Sequence, residues 1–454
     1  MAVDEIVGAP APFSGNFLGV AIVIGGAVGV GILRMPGIVA GQIGDVAWIL
    51  GLWLAGGIYA LAGANSLAEL ATMLPEAGGG YVYIKRAYGS FFGFSGGMND
   101  FVLSCCGAAY VAVAAGEYAA GLIRPLAGHA VISAFAILSA VTAINWIGLR
   151  AGDVSQKIAS TAKMVGLVVL AVGCFLVGDG AAFKAPQLLS PGAHPLLTAA
   201  AMALALQGVM ETYAGWNSPV YFSEENVDAS RSIPRALFGG VIAVTLIYVL
   251  VNAALLYALP LSTIASSKLP AADAAGLLFG VSGSRVIGVL ALLSVIGILN
   301  TQVLYIPRVL FAMSRDGFLP HRIEAVNAGG TPAVALALTS LLIAAFILSG
   351  TFETLLGIAA FLGIAGDSAV WLALFVLRRR EPNLPRPYRA VGYPAIPALV
   401  LIGGLALVVV YVTGNPRNSL ISMGILVAFL PFYLLTRRSR GSASVVKTDV
   451  TWGD

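Results

Sequence analysis

The chain has 454 residues, of which 59% fall in the apolar set AVILMFWYC and only 10% are charged, 25 basic and 21 acidic. Soluble domains carry about 25% charged residues; with a mean hydropathy of +0.92, no aqueous core could hide the apolar excess. The same numbers exclude a disordered chain, a collagen-like repeat, a disulfide scaffold and a nucleic-acid binder, and leave an all-α polytopic membrane protein.

A crossing needs about 20 mostly apolar residues. In chain order, twelve segments meet that requirement: 17–41, 46–73, 91–123, 129–149, 154–177, 195–223, 234–259, 282–314, 332–350, 352–377, 394–412 and 418–436. Short connections leave no room for an inserted soluble domain. Backbone groups cannot stay unpaired in hydrocarbon, so the segments are predicted to be helices. The two-residue alternation of an outer-membrane barrel is missing. Residues 1–16 hold two acids and no base, which reads as a tail and not as a cleavable signal peptide. Cys105, Cys106 and Cys174 lie within apolar stretches, and an odd count there argues against a disulfide framework. His129, His194 and His321 sit in connecting loops without metal-site spacing, so no metal and no cofactor is expected.

Basic residues orient the chain. Alternate connections hold Lys85, Arg86, Arg150, Lys157, Arg231, Arg235, Arg315, Arg322, Arg378, Arg379, Arg380, Arg386 and Arg389, and the C-terminal tail adds Arg437, Arg438, Arg440 and Lys447. The opposite connections hold only Arg124, Lys184, Lys268, Arg285 and Arg417. Seventeen against five predicts cytoplasmic termini on both ends of a multi-pass protein of the cytoplasmic membrane, in keeping with an even number of crossings.

Glycine fills 55 positions, and close helix packing accounts for most of them. Two clusters go further. The first, in the first span, runs Gly25-Gly26-Ala27-Val28-Gly29-Val30-Gly31-Ile32-Leu33-Arg34-Met35-Pro36-Gly37. At about 1 kcal/mol per glycine a continuous helix is expensive there. An unwound stretch at Gly29–Gly31 would present backbone N–H groups and the positive end of a half-helix dipole, which suits a carboxylate. Taken alone, the cluster is equally readable as a packing kink. The second lies in the sixth span, Gln207-Gly208-Val209-Met210-Glu211-Thr212-Tyr213-Ala214-Gly215-Trp216-Asn217-Ser218-Pro219. The two interrupted spans open consecutive groups of five, and matching interruptions in two halves point to a transporter site near mid-membrane.

Acids and bases within the spans stand out for their cost, roughly 2.5–3.5 kcal/mol each on insertion scales. For Glu211 three roles are open: contact with a cationic substrate, a proton carrier, or a structural pair. Lys163 sits about nine residues into the fifth span, near 13 Å along a helix at about 1.5 Å per residue, from where its head could snorkel toward the cytoplasm. Glu69 and Asp100 lie toward the cytoplasmic ends and Glu117 toward the outer end, where solvated or loop-pairing roles are expected; Asp367 is mid-span and a candidate to face a pathway. Trp48, Trp53, Trp146 and Trp371 read mostly as interface or packing residues.

In order and spacing, several motifs resemble one family. Gly29-Val30-Gly31-Ile32, Glu69-Leu70 through Pro75-Glu76-Ala77-Gly78-Gly79-Gly80-Tyr81, and Tyr213-Ala214-Gly215-Trp216-Asn217 belong to the set. So do Glu224-Glu225 with Ser232-Ile233-Pro234-Arg235-Ala236, the Ala312–Pro320 segment with Thr331-Pro332, and Arg386-Pro387-Tyr388 with Gly392-Tyr393-Pro394. Over nearly its whole length the chain resembles the amino acid–polyamine–organocation permeases, nearest to the L-type amino-acid transporters and their bacterial relatives.

The resemblance implies a LeuT-type 5+5 inverted repeat with twelve transmembrane helices, the first and sixth broken at mid-membrane. Its parts would be a tail (1–16), two five-helix repeats (17–177 and 195–377), two peripheral helices (394–436) and a C-terminal tail (437–454). It implies a non-enzymatic secondary transporter of amino acids working by alternating access, with exchange and proton symport both open and a polyamine or cationic-amine antiporter as the alternative. Carried over, the N–H groups of Gly29, Val30 and Gly31 would hold the substrate carboxylate and carbonyls near Ala27 and Ala214 its ammonium. Glu211 would stand where relatives carry an aromatic gate, with Tyr213, Gly215 and Trp216 in the unwound sixth helix. Val30 replaces a small polar residue, removing a hydroxyl but not the backbone donors. Lys163 would put its ammonium where sodium-coupled relatives bind the ion, which implies sodium independence. Animal relatives join a heavy chain through a cysteine between the third and fourth spans; Arg124–His129 contains none, so no such disulfide-linked partner is expected.

Overall fold

A computed structural model describes residues 23–24, 27–76, 78–147, 149–184, 195–225, 228–328, 330–350 and 352–445. The tail expected at 1–16, the start of the first span with Gly25 and Gly26, the loop 185–194 and residues 446–454 lie outside the described residues.

Among the described residues the regular elements are helices, with one isolated bridge between Val326 and Pro332. The longer helices are α1 (Val30–Ile43), α2 (Val46–Met73), α3 (Gly80–Tyr88), α4 (Ser90–Leu122), α5 (Ala130–Ile147), α6 (Leu149–Val177) and α7 (Pro195–Tyr213). They continue with α8 (Ala229–Ala258), α9 (Pro270–Arg315), α10 (Ala333–Ser349), α11 (Phe352–Arg380), α12 (Ala395–Gly414) and α13 (Pro416–Val445). Among the described residues, eight segments are long and apolar enough to cross a membrane: α2, α4, α5, α8, Arg285–Arg315 of α9, Thr354–Arg380 of α11, α12 and Pro416–Leu435 of α13. Lys163–Val177 and α10 are shorter apolar helices.

Most helix ends fall within a few residues of the apolar boundaries, because the same Gly, Pro and charged residues that end an apolar run also end a helix. Asp45 caps α2 by accepting from Trp48 N (2.9 Å). The segment 195–223 is interrupted where its Gly/Pro cluster places a break: α7 stops at Tyr213, a turn covers 214–217 and a 3-10 stretch runs from Ser218 to Glu225. Helix α9 begins twelve residues before the expected 282, with a kink at Gly280 (φ 65°, ψ −160°) separating its short first part.

Packing follows a regular scheme. Helix α1 packs on α7, α2 on α8, α4 on α9 and α5 on α10, while α6 meets α9 and α11 meets α4. Close approach rests on small residues: a side chain at Gly31 would run into Thr212, and one at Gly56 into Val209 and Tyr213. Of the apolar window of α4, 72% is buried, against 22% in α13, so α4 is central and α13 peripheral.

The basic-rich end is laced by polar contacts between distant segments. Glu69, fully buried, receives Arg378 (Nε 2.8 Å, Nη2 2.5 Å) and the backbone N–H of Ala390 (2.6 Å), with Arg386 Nε at 3.2 Å. Asn65 Oδ1 accepts from Tyr388 Oη (2.7 Å) and Val391 N (2.8 Å). Burial, with the Glu69 carboxylate nearby, holds the Tyr388 phenol above its usual pKa. Lys85 and Tyr81 both bind Asp316, Arg86 pairs with Glu381 and Arg315 with Glu224. The loop-pairing role expected of Glu69 is what its contacts describe, and it joins two of the sequence motifs, Glu69-Leu70 and Arg386-Pro387-Tyr388.

Candidate substrate cavity between two interrupted helices

The first interruption is short. Residues Val28 and Gly29 leave the helical path and α1 restarts at Val30. The first hydrogen bond of the restarted helix runs from Leu33 N to Gly29 O (3.3 Å), and no side chain caps its N-terminus. The N–H groups of Val30, Gly31 and Ile32 therefore precede the helical ladder, as the first N–H groups of any helix do.

On the other side of the break the carbonyls have partners. Tyr248 Oη, from α8, lies 2.7 Å from Ala27 O and 2.9 Å from Thr212 O, so one hydroxyl bridges the two interrupted helices. Lys163 of α6, 4% exposed, donates from Nζ to Val28 O at 3.1 Å. An ammonium carries three donors and no acceptor, which suits the carbonyl-rich end of a stopped helix.

The second interruption is wider. Thr212 Oγ1 turns back to Gly208 O (2.7 Å) at the end of α7, and Gly215 takes φ 95°, a conformation that favours glycine. Ser218 then closes the turn through N and Oγ to Gly215 O (3.1 and 2.6 Å). Tyr213 is buried, its Oη on Trp53 O (2.8 Å), and its ring meets Trp53 and Tyr248.

Between the two breaks lies a cavity of about 200 Å³, running from Ala27 and Gly31 toward Tyr81 and Ile84 of α3. Of the residues singled out from sequence, Ala27, Gly31, Glu211, Tyr213, Ala214, Gly215 and Trp216 line it together. Gly29 instead lies against Ile298, Val30 contributes through its backbone at the helix start, and Lys163 acts from behind the break.

Glu211 faces the cavity and accepts from Tyr110 Oη at 3.1 Å. The Tyr110 ring meets Phe352 edge-on (5.4 Å), and the Arg34 guanidinium lies 4.0 Å above the Phe352 ring. Arg34, 6% exposed, pairs through Nη1 with Glu117 Oε2 at 2.8 Å. Glu117, its side chain 39% exposed near the end of α4, is thus an interhelical partner that keeps part of its carboxylate in the open. Asp100 receives Tyr221 Oη, from the 3-10 stretch after α7, at 2.8 Å on both carboxylate oxygens, the kind of pairing expected of it, and it also lines the cavity. Asp367 lines the cavity too, as does Trp371.

Tyr248, Arg34 and Tyr110 escaped the sequence reading. Tyr248 sits in an unbroken apolar run that gives no signal of its polar tip. Arg34 carried a usable one, a base three residues past Gly31 in a span.

These features define a class: a multi-pass helical membrane protein whose small-molecule cavity is built at two mid-helix interruptions. Residues 16–434 match the amino acid permease family, and the chain belongs to it. It is similar to the serine/threonine exchanger SteT of Bacillus subtilis (strain 168), 29% identical with 94% of this chain and 97% of that protein covered. It is also similar to large neutral amino acids transporter small subunit 2 of Mus musculus, 27% identical over 91% of this chain and 79% of the relative. The b(0,+)-type amino acid transporter 1 of Mus musculus is 26% identical over 88% and 83%.

Proposed function

We propose that this amino acid permease is a sodium-independent secondary transporter that moves amino acids across the cytoplasmic membrane by alternating access, with both termini on the cytoplasmic side. Exchange is the mode proposed, in keeping with the name of the bacterial relative. The observation that carries the reading is the juxtaposition of two interrupted helices across one cavity. Backbone donors at Val30–Ile32 supply the anion-binding end, and the turn at 214–217 forms the facing wall. A zwitterion needs donors and acceptors close together, and unwound mid-membrane segments provide both.

The substrate carboxylate rests on the N–H groups of Gly29, Val30 and Gly31, and its ammonium meets carbonyls near Ala27 and Ala214. Because Ala27 O already accepts from Tyr248, its remaining lone pair is the one available to substrate. Trp216 closes over the substrate, while Tyr213, tied to Trp53, is a fixed post. Packing of four of the five helices of the first group on their counterparts in the second, α1 on α7, α2 on α8, α4 on α9 and α5 on α10, supports a 5+5 inverted repeat over 17–177 and 195–377 with peripheral helices over 394–436. Lys163 holds Val28 O in place of an ion, which is the ground for sodium independence. No disulfide-linked partner takes part, and no cofactor.

Uptake of labelled amino acids by sodium-free proteoliposomes of the full chain tests the reading. Flux that depends on an amino acid inside the vesicle supports it; binding without flux would make the protein a sensor.

A further inference from the structure

Charge in the cavity is lopsided. Three carboxylates line it, Glu211 at one level and Asp100 and Asp367 at another, and no Lys or Arg is among the lining residues. The levels follow from helix geometry. Tyr110, which holds Glu211, is ten residues along α4 from Asp100, roughly 15 Å between Cα positions at 1.5 Å per residue. Asp367 stands near Asp100 because Asn99 bonds Leu362 O and lies against Gly366 on α11.

A neutral amino acid has one ammonium and one carboxylate. The backbone donors of the first break serve the carboxylate and helix-end carbonyls serve the ammonium, so three acids would face the pathway without a counter-charge. Acids at such depth persist when they pair or serve the substrate. Among the described residues two of the three make only neutral hydrogen bonds, Glu211 with Tyr110 and Asp100 with Tyr221 and, at 3.5 Å, Ser104, and Asp367 has no hydrogen-bond or ion-pair partner.

A second observation points the same way. Asn99 lines the cavity at 5% exposure, gives its Nδ2 to Leu362 O and leaves Oδ1 without a hydrogen-bond partner. Gln302, which also lines the cavity, leaves Oε1 unpaired as well. Unfilled acceptors call for a donor-rich group, and an ammonium or guanidinium brings only donors. Tyr221 and Tyr305, stacked 4.9 Å apart beside Asp100, add aromatic faces that attract a cation.

Building on the transport reading above, we infer that the preferred substrate is a dibasic amino acid whose side-chain cation reaches the Asp100–Asp367–Asn99 end of the cavity. The first break holds the α-carboxylate and the acids hold the distal charge.

The test is competition on the full chain in proteoliposomes, with labelled L-lysine exchanged against three unlabelled competitors. These are L-lysine, L-2-aminoheptanoate (a methyl in place of the ε-ammonium) and putrescine (no carboxylate). Lysine should compete at least tenfold better than either of the others. In Asp367→Asn and in Asp100→Asn the lysine-to-aminoheptanoate ratio should fall several-fold; an unchanged ratio in both variants would overturn the assignment of the acids. Equal competition by aminoheptanoate would overturn the inference while amino-acid transport stands. Putrescine competing as well as lysine would overturn it in favour of a diamine substrate. If neither lysine nor any other labelled amino acid is exchanged, the transport reading itself fails.

Discussion

The two interrupted helices solve the same problem with different means. At the first, the gap is two residues, and its carbonyls are fastened from outside by Tyr248 on Ala27 O and Lys163 on Val28 O. At the second, a four-residue turn with Ala214 exposed leads into a 3-10 stretch, and the fastening runs mostly through side chains: Glu211 with Tyr110, Tyr213 on Trp53 O and Tyr221 on Asp100, with Tyr248 also on Thr212 O. A wall fastened at its backbone suits the part of a substrate common to all amino acids, and a longer wall carrying side chains suits the part that varies. In the proposed alternating access, movement is expected in the turn at 214–217, between those fastenings, more than at 28–29.

Filling the contact between the breaks should do the most damage. A Cβ at Gly31 would lie 2.5 Å from Thr212 Cγ2 and 2.9 Å from Thr212 Cα, so Gly31→Val must push the helices apart. Overpacking costs about 1–3 kcal/mol, and we expect uptake by the purified variant to drop up to about a hundredfold. Near-normal uptake would mean that the two breaks do not meet in the working protein. Lys163→Met keeps the apolar stem but leaves Val28 O without this donor. An unsatisfied buried carbonyl costs about 1–3 kcal/mol, so initial uptake should fall about tenfold or more, with added sodium in the assay as the informative comparison.

The sequence made some of this legible for plain reasons. Helix breaks are written in local residue types, so Gly29, Gly31, Ala214 and Gly215 could be placed without a fold. The apolar spans were equally local, and the helices of 46–73, 91–123 and 352–377 begin and end close to where hydropathy changes. The anchors were not legible. Tyr248 is 221 residues from Ala27, and Glu117 is 83 from Arg34. Such pairings depend on which faces of distant helices meet, and a lone Tyr or Glu in an apolar run does not announce its partner. The same holds for Asp100: its depth along the helix is readable from sequence, but not that it faces the cavity.

Smaller effects should sharpen the contrast. Tyr248→Phe removes one hydroxyl that serves both breaks, and at about 0.5–1.5 kcal/mol for a net hydrogen bond the apparent affinity should weaken about three- to tenfold. Competition binding with the preferred amino acid reads this directly; an unchanged affinity would show that the bridge is incidental. Glu117→Gln breaks the Arg34 pair, whose acidic partner is 39% exposed. Pairs this open are worth about 0–1 kcal/mol, so a thermal shift of a few degrees at most is expected, with substrate preference unaltered.

The claim on which the rest depends is that Lys163 and the backbone of the first break do the work an ion would otherwise do. Counterflow measures it: labelled amino acid outside, unlabelled amino acid inside, the full chain in proteoliposomes, with choline or sodium as the only external cation. The expected result is an uptake overshoot of equal height in both buffers and none without internal amino acid. An overshoot that appears only with sodium, or that rises steeply with it, would contradict the account.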